Sequence, residues 1–192
     1  MIPKAEIYFS SYSAIALNLD LLDQQEYERY ASSHKGLKFA LGRIFLKQKL
    51  GEHLQIDPSR VQISYTETEK PFLKDFKVEF SLSHSGEYLG VAIGTQQLGF
   101  DLQVMQGIEN WQQKAQRFFN WSAQELNKYT VQDFCLHWAI AESMSKCLEK
   151  SLFTMLKYNW LEEGDELFRK FGVQNWHSQA NQLAMSLSEL RK

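Results

Sequence analysis

The sequence predicts an α+β protein, and three observations indicate this class. Residues 37–50 and 133–150 repeat apolar side chains at helical spacing. Other short runs are rich in β-branched and aromatic residues and are bounded by turn-forming residues, as strands are. The 192 residues are 44% hydrophobic and 14% aromatic, which is enough to bury a core.

The first part of the chain combines strands with two helices. A strand is predicted over residues 5–10, and helices over residues 21–30 and 37–50. Further strands are predicted at residues 61–65, 78–82, 89–93 and 98–103. The turn-like residues 94–97 are expected to join the last two of these strands in a hairpin.

After residue 103 the pattern becomes helical. Helices are predicted over residues 110–119 and 133–150, and Ser122 and Glu125 have the spacing of a capping box. A second hairpin and a closing strand are expected towards the end, at residues 153–161, 166–171 and 183–187.

The order of these elements favours two similar, pseudo-symmetric α+β halves, residues 1–98 and 99–192. No linker rich in Pro, Gly or Ser divides the chain, and no clear sequence repeat relates the halves. The net charge of −2 argues against a general nucleic-acid or membrane-surface binder.

The chain shows neither an apolar stretch of membrane length nor a basic, then apolar N-terminus. Cys135 and Cys147 lie about 18 Å apart on one predicted helix, beyond disulfide reach, and indicate reduced thiols. We expect a cytoplasmic protein that is a monomer.

A run of basic residues without an intervening acid lies between residues 29 and 49: Arg29, Lys35, Lys38, Arg43, Lys47 and Lys49. Taken alone, such a run is most often a solvated helix face. The alternative is an anion site, in which Arg43 is suited to bidentate contact with phosphate. Local positive charge would also attract an acidic protein partner.

His84 lies between Ser83 and Ser85 and precedes Gly86. A lone histidine is more often structural, but small hydroxyl residues and glycine permit the close backbone approach that phosphate-binding turns require. Lys70, upstream, is a candidate second cation for the same anion.

Acidic side chains offer a second candidate site. Asp101 interrupts an apolar strand, and Glu142 and Lys146 are one helical turn apart. The structural alternatives are a strand-end acid that caps a helix and an ordinary i,i+4 pair, worth about 0.2–0.5 kcal/mol. Two carboxylates are also what a hydrated Mg²⁺ with a phosphorylated ligand needs. We expect both acids to face the surface, so that replacing either leaves the fold intact.

Four segments occur in an order that resembles a known family: F-S-L-S-H-S (80–85), G-F-D-L-Q (99–103), R-F-F-N-W-S-A-Q-E (117–125) and W-A-I-A-E-S-M-S-K (138–146). This set, with K-P-F-L at residues 70–73, resembles the 4′-phosphopantetheinyl transferases of the surfactin-synthetase-activating type, in the holo-acyl-carrier-protein synthase superfamily. The resemblance covers about residues 20–155.

The resemblance implies two halves with the active site in the cleft between them. It implies transfer of the phosphopantetheine arm of coenzyme A to a serine of an acyl or peptidyl carrier protein, with release of 3′,5′-ADP. Asp101, Glu142 and Gln103 would hold Mg²⁺, for which Mn²⁺ could substitute. Glu142 and Lys146 would be catalytic. The implied coenzyme A contacts are Arg43, Lys70, Ser83 and His84.

Three residues depart from the family pattern. Gln103 stands where Glu is usual, Ala141 where Lys is usual, and Glu69 where Gly is usual. These departures keep open a degenerate, non-catalytic relative that binds coenzyme A or a carrier protein. A further alternative is an unrelated α+β protein whose basic helix binds a nucleotide or RNA; it predicts that Asp101 and Glu142 lie far apart.

Overall fold

The computed structural model describes residues 5–32, 34–67, 70–158, 160, 171–178, 180 and 182–190. The helices are α1 (Gln24–Ser32), α2 (Gly36–Leu54), α3 (Trp111–Phe119), α4 (Ala123–Lys128), α5 (Val131–Leu148) and α6 (Leu152–Met155). The strands are β1 (Glu6–Ser11), β2 (Ile63–Tyr65), β3 (Pro71–Leu73), β4 (Glu79–Ser85), β5 (Tyr88–Gly94), β6 (Leu98–Val104), β7 (Gln174–Ser178) and β8 (Leu183–Glu189). The predicted α+β class is confirmed.

The chain forms two compact units. The first comprises Met1–Leu82 and Glu87–Thr95, and the second comprises Ser83–Gly86 and Gln96–Lys192. The last residues of β4 therefore belong to the second unit. That the protein consists of two similar halves, divided between residues 98 and 99, stays a prediction.

In the first unit, α2 packs on an antiparallel sheet with the strand order β1-β5-β4. Tyr8 pairs with Val91 in this sheet. The core joins the apolar face of α2 to the sheet and to β3: Leu41, Phe45, Leu46, Leu50, Leu73, Phe80, Leu89, Val91 and Ile93. The helix ends where Gln55 adopts the left-handed conformation, with φ 55°.

In the second unit, α5 packs on a sheet with the order β6-β8-β7. Thr130 and Asp133 form a capping box that begins α5, and Ser122 and Glu125 form the predicted one at α4. The core is rich in aromatic and sulfur-containing side chains, which include Phe119, Trp121, Phe134, Met144 and Trp160. The predicted free thiols are confirmed, since Cys135 and Cys147 are both buried and unbridged.

Helix α5 lies unusually close to β6 because Gly99 has no side chain. A Cβ atom built at Gly99 would lie 2.0 Å from the carbonyl oxygen of Ser143 and 2.4 Å from the amide nitrogen of Cys147. Beside this contact, the Ser143 hydroxyl lies 2.9 Å from that of Ser186 and 2.8 Å from that of Ser188. The polar groups at this buried helix–sheet interface therefore satisfy one another.

The hairpin predicted across residues 94–97 is wrong. Strand β5 pairs with β1 and β4, whereas β6 pairs with β8. Turn-forming residues indicate that the chain bends, but the strand partner depends on distant residues. In this case Phe100 faces Leu187 in the register.

The predicted strand over residues 153–161 begins wrongly, because α6 (Leu152–Met155) occupies its start. A short apolar run does not distinguish a strand from a packed helical turn. Residues 159, 161 and 166–170 of the expected hairpin lie outside the described residues. Strands β3 and β7 were not predicted. No helix in the described part of the chain is both long and apolar enough to cross a membrane.

A buried histidine should make this protein sensitive to acid. Burial lowers the pKa of His137 from 6.5 to about 3, and the Tyr158 backbone offsets this only in part. The ring centres of Phe119 and Trp121 lie 4.1 Å and 5.4 Å away. Below pH 6.5 His137 binds a proton in the unfolded chain but stays neutral in the folded chain. The free energy of unfolding should therefore fall as the pH falls from about 6.5 to about 3.

Urea denaturation of His137→Phe and wild type across this pH range tests the prediction. We expect the variant to lose less stability on acidification, by about 2 kcal/mol or more. His177→Phe, at an exposed position on β7, is the matched control and should keep the wild-type slope. Parallel curves for wild type and His137→Phe would contradict the prediction.

Candidate active site

Two serine hydroxyls hold the end of β4 against β6. The amide N–H of Leu102 donates to Ser83 Oγ at 3.3 Å, and that of Val104 donates to Ser85 Oγ at 3.1 Å. Ser83 is buried, whereas His84 is exposed. The serines thus connect two strands, and the histidine between them is left at the surface.

Asp101 lies at the centre of the site and is completely buried. Its Oδ1 accepts hydrogen bonds from Ser83 Oγ at 2.6 Å and Lys146 Nζ at 2.7 Å, and its Oδ2 accepts one from Gln103 Nε2 at 2.7 Å. The expectation that Asp101 faces the surface is wrong, because α5 covers this face of β6. Three donors, one of which is the charged Lys146, make this buried carboxylate tolerable.

Lys146 brings the two acids of the site together. Its Nζ donates to the Phe100 carbonyl at 3.1 Å as well as to Asp101, and it lies 3.6 Å from Glu142 Oε2. Both carboxylates are therefore within reach of a single ammonium group. An unrelated fold in which Asp101 and Glu142 lie far apart is ruled out by this geometry.

The electrostatics of Glu142 show the strain of holding two acids close together. Burial raises the pKa of Glu142, and the negative charge of Asp101 raises it further. The charge of Lys146 and a hydrogen bond from Trp138 oppose this increase in pKa. Such a pair is stabilised by any additional positive charge that reaches it.

A cavity of about 460 Å³ opens beside these acids. Gln103 and Trp138 line it, and the same two side chains donate hydrogen bonds to Asp101 and Glu142. Most of the remaining wall is apolar, while Lys114, which is exposed, also contributes to it. The cavity has the size and lining of a small-molecule site.

The donor atoms of the site fit a hard divalent cation. Mg²⁺ takes oxygen ligands from one or two carboxylates and completes its shell with water and substrate phosphates. Asp101 and Glu142 supply two carboxylates. Among the described residues, no group of three or more acidic, histidine or cysteine side chains is placed to hold a metal ion. Gln103 presents its Nε2, not its oxygen, to Asp101, and its Oε1 lies 3.5 Å from Ser85 Oγ. The role of Gln103 as a metal ligand stays a prediction, and it requires the side-chain amide to rotate so that Oε1 takes the place of Nε2.

The predicted coenzyme A contacts are divided between the units. Arg43 and Lys70 lie in the first unit, and Ser83 and His84 in the second. Lys70 Nζ lies 3.6 Å from Glu79 Oε2. The hydroxyl of Ser83 is engaged by Asp101 and the Leu102 amide. The roles of these four residues in coenzyme A binding stay predictions.

The basic run of residues 29–49 is not a single solvated face. Arg43 and Lys47 are both buried. Arg43 bonds to the Tyr65 hydroxyl and lies 3.7 Å from Glu26, while Lys47 donates to the other oxygen of Glu26 at 2.6 Å. The solvated interpretation is wrong for these two residues, because a carboxylate from α1 pairs with them inside the unit.

Sequence reasoning missed the part played by Trp138. Its indole donates to Glu142 Oε1 at 2.7 Å, and the i,i+4 spacing was the available signal. Ala141 is completely buried among apolar side chains, so its position faces the core. Glu69 lies outside the described residues.

The site therefore combines a mixed α+β fold with two neighbouring acids and a lysine close to a cavity. The profile of a family described as "4′-phosphopantetheinyl transferase, N-terminal" matches residues 8–96. The 4′-phosphopantetheinyl transferase gsp of Aneurinibacillus migulanus is 25% identical over 157 residues, which are 79% of this chain and 65% of that protein. The 4′-phosphopantetheinyl transferase HetI of Nostoc sp. is 34% identical over 87 residues, which are 43% of this chain and 37% of that protein.

The chain is therefore a relative of the 4′-phosphopantetheinyl transferases, and the resemblance seen in its motifs is confirmed. It spans less than two thirds of the length of these curated relatives.

Proposed function

We propose that this protein transfers the 4′-phosphopantetheine arm of coenzyme A to a serine of an acyl or peptidyl carrier protein and releases 3′,5′-ADP. The observation that carries the proposal is the cluster of Asp101, Lys146 and Glu142. Asp101 on β6 and Glu142 on α5 lie 2.7 Å and 3.6 Å from the same atom, Lys146 Nζ. Such a cluster provides the positioning and charge neutralisation on which phosphoryl transfer depends.

The proposed reaction is one displacement at phosphorus. The serine O–H bond breaks, and a new bond forms between the serine oxygen and the phosphorus that bears pantetheine. The bond from that phosphorus to the bridging oxygen of the pyrophosphate breaks, and 3′,5′-ADP leaves with the bonding electrons. The carboxylate of Glu142 would accept the serine proton.

Other side chains of the chain would orient the substrates. Lys146 carries the positive charge that would contact a phosphate oxygen of coenzyme A. The cavity beside Gln103 and Trp138 would take the pantetheine arm, since its volume of about 460 Å³ suits a group of that size. Its apolar wall would keep water from competing with the serine.

Asp101 and Glu142 would hold Mg²⁺, and Gln103 would join them through its amide oxygen. When bound, the ion would neutralise the negative charge of the pyrophosphate. The Lys146 ammonium partly neutralises the two acids in the protein alone, so we expect the free protein to bind the metal measurably but more weakly than the protein with coenzyme A.

Mass spectrometry of carrier proteins tests the proposal. Acyl and peptidyl carriers in their unmodified form are incubated with the protein, coenzyme A and Mg²⁺. The expected product is a carrier heavier by one phosphopantetheine group, with 3′,5′-ADP formed in equal amount. Coenzyme A or carrier binding without any mass change across the panel would instead support the non-catalytic relative.

Gln103 gives a prediction about the metal requirement. Gln103→Glu places a third negative charge beside Asp101, so the variant should reach half-maximal rate at an Mg²⁺ concentration about 10-fold lower than wild type. Mn²⁺ should substitute well in wild type because it accepts varied oxygen and nitrogen ligands. The measurement is transfer rate against metal concentration for both variants.

Gln106→Glu provides the matched control, since Gln106 lines the same cavity. It should leave the metal requirement unchanged. An identical Mg²⁺ dependence for wild type and Gln103→Glu would show that residue 103 does not face the metal.

A further inference from the structure

Trp138 makes a contact to the site that the proposed chemistry leaves unexplained. It lies one helical turn before Glu142 on α5, and its Nε1–H donates to Glu142 Oε1 at 2.7 Å. The other carboxylate oxygen, Oε2, lies 3.6 Å from Lys146 Nζ. Each oxygen of Glu142 thus has its own neighbour, and the carboxylate is held from two sides.

The indole of Trp138 is itself fixed by the aromatic core. Phe118 meets it edge-on, with ring centres 5.4 Å apart and planes at 90°. Phe119 and Phe134 lie with ring centres at 5.8 Å and 6.0 Å from it. Because several rings contact the indole, packing restrains the direction of its N–H.

Glu142 needs such a restraint. Its charged form is disfavoured by burial and by the charge of Asp101, and its flexible side chain could relieve both by turning towards solvent. A donor on a fixed ring prevents this, because turning away would break a hydrogen bond to a charged group.

We infer that Trp138 is a positioning residue for the proposed transfer. Its indole N–H holds Oε1 of Glu142, so that Oε2 faces the ammonium group of Lys146. The inference rests on the proposed function for its relevance to catalysis. The hydrogen bond and the packing that support it are independent of which carrier or substrate the protein uses.

The test separates the N–H from the ring. In Trp138→Phe an aromatic ring remains without the donor, and replacement of Trp138 by 3-benzothienylalanine keeps the two-ring shape and loses only the N–H. Binding of Mn²⁺ to the free protein is measured by calorimetry, thermal stability is measured for each variant, and transfer is measured at saturating coenzyme A and carrier.

Both replacements should weaken Mn²⁺ binding about 10-fold, as loss of a hydrogen bond to a charged group predicts. The benzothienyl variant should melt close to wild type. The maximal transfer rate should fall by a similar factor, while the KM for the carrier should change little.

Trp121→Phe is the matched control. This second indole belongs to the same aromatic core and is buried, and its Nε1 has no hydrogen-bond partner within the described part of the chain. Trp121→Phe should leave Mn²⁺ binding unchanged even if it lowers the melting temperature. If Trp121→Phe weakened Mn²⁺ binding as much as Trp138→Phe, the effect would be one of packing alone, and the inference would be overturned.

Unchanged Mn²⁺ binding in the benzothienyl variant would also overturn it, as would a wild-type protein that binds no Mn²⁺. If wild type binds Mn²⁺ but modifies no carrier, the proposed function fails, and the metal titration still decides whether Trp138 positions Glu142.

Discussion

Asp101→Asn is expected to lower the rate of carrier modification about 100-fold or more, because it removes one of the two carboxylates that would hold the metal. The asparagine amide keeps the shape of the side chain and can still accept a hydrogen bond from Ser83. It also leaves Lys146 with Glu142 as its one carboxylate partner among the described residues. The measurement is carrier mass against time, at several Mg²⁺ concentrations.

The burial of Asp101 changes what its removal should do to the fold. Asp101→Ala would strip partners from Ser83, Gln103 and Lys146 at once. We expect this variant to lose about 1–3 kcal/mol of stability in addition to its activity. Asp101→Asn is therefore the cleaner probe, and circular dichroism should show that it remains folded.

Asp133→Asn is the control for the loss of a negative charge. Asp133 caps the start of α5 and its carboxylate bonds to Thr130. Its replacement should cost about 1 kcal/mol in stability and leave transfer intact. A rate in Asp101→Asn close to that of wild type would remove Asp101 from the metal site.

Gly99→Ala is expected to destabilise the second unit by about 3 kcal/mol or more. The added methyl group would overlap the backbone of α5, with the Ser143 carbonyl oxygen 2.0 Å away and the Cys147 nitrogen 2.4 Å away. Because these are backbone atoms of α5, they cannot move away unless the helix separates from β6. Overpacking of this kind is among the costliest substitutions. Urea denaturation followed by circular dichroism measures the loss.

Gly42→Ala is the matched control, because Gly42 is also buried within a helix and a Cβ there would meet no atom within 4 Å apart from the backbone of its own helix and its two chain neighbours. This variant should be neutral or more stable by about 0.5–1 kcal/mol, as alanine favours the helix. If Gly99→Ala were as stable as Gly42→Ala, the close approach of α5 to β6 would be refuted.

Displacement of α5 would also alter the site, since Glu142 and Lys146 lie on this helix and Asp101 lies on β6 two residues after Gly99. Any Gly99→Ala protein that remains folded should therefore transfer more slowly than its stability alone explains. Measuring the rate well below the melting temperature separates the two effects.

The sequence by itself determined the features that depend on local order along the chain. The apolar spacing in α2 and α5 specifies helices because side chains three and four residues apart share a face. The capping box at Ser122 is local for the same reason, since all of its bonds lie within four residues. The residue types at positions 101, 142 and 146 also limited the chemistry to acids and a cation.

The tertiary structure alone decided what surrounds these residues. Strand β6 pairs with β8, whose residues follow it by some 80 positions in the chain, and no local pattern encodes that partner. Asp101 is buried because α5 covers β6 where Gly99 permits it, whereas from the sequence we expected this acid to face the surface. Arg43 and Lys47 are enclosed because Glu26, from another helix, neutralises them. Burial and ion pairing join residues far apart in sequence, so the free energies that set them arise only when the chain packs.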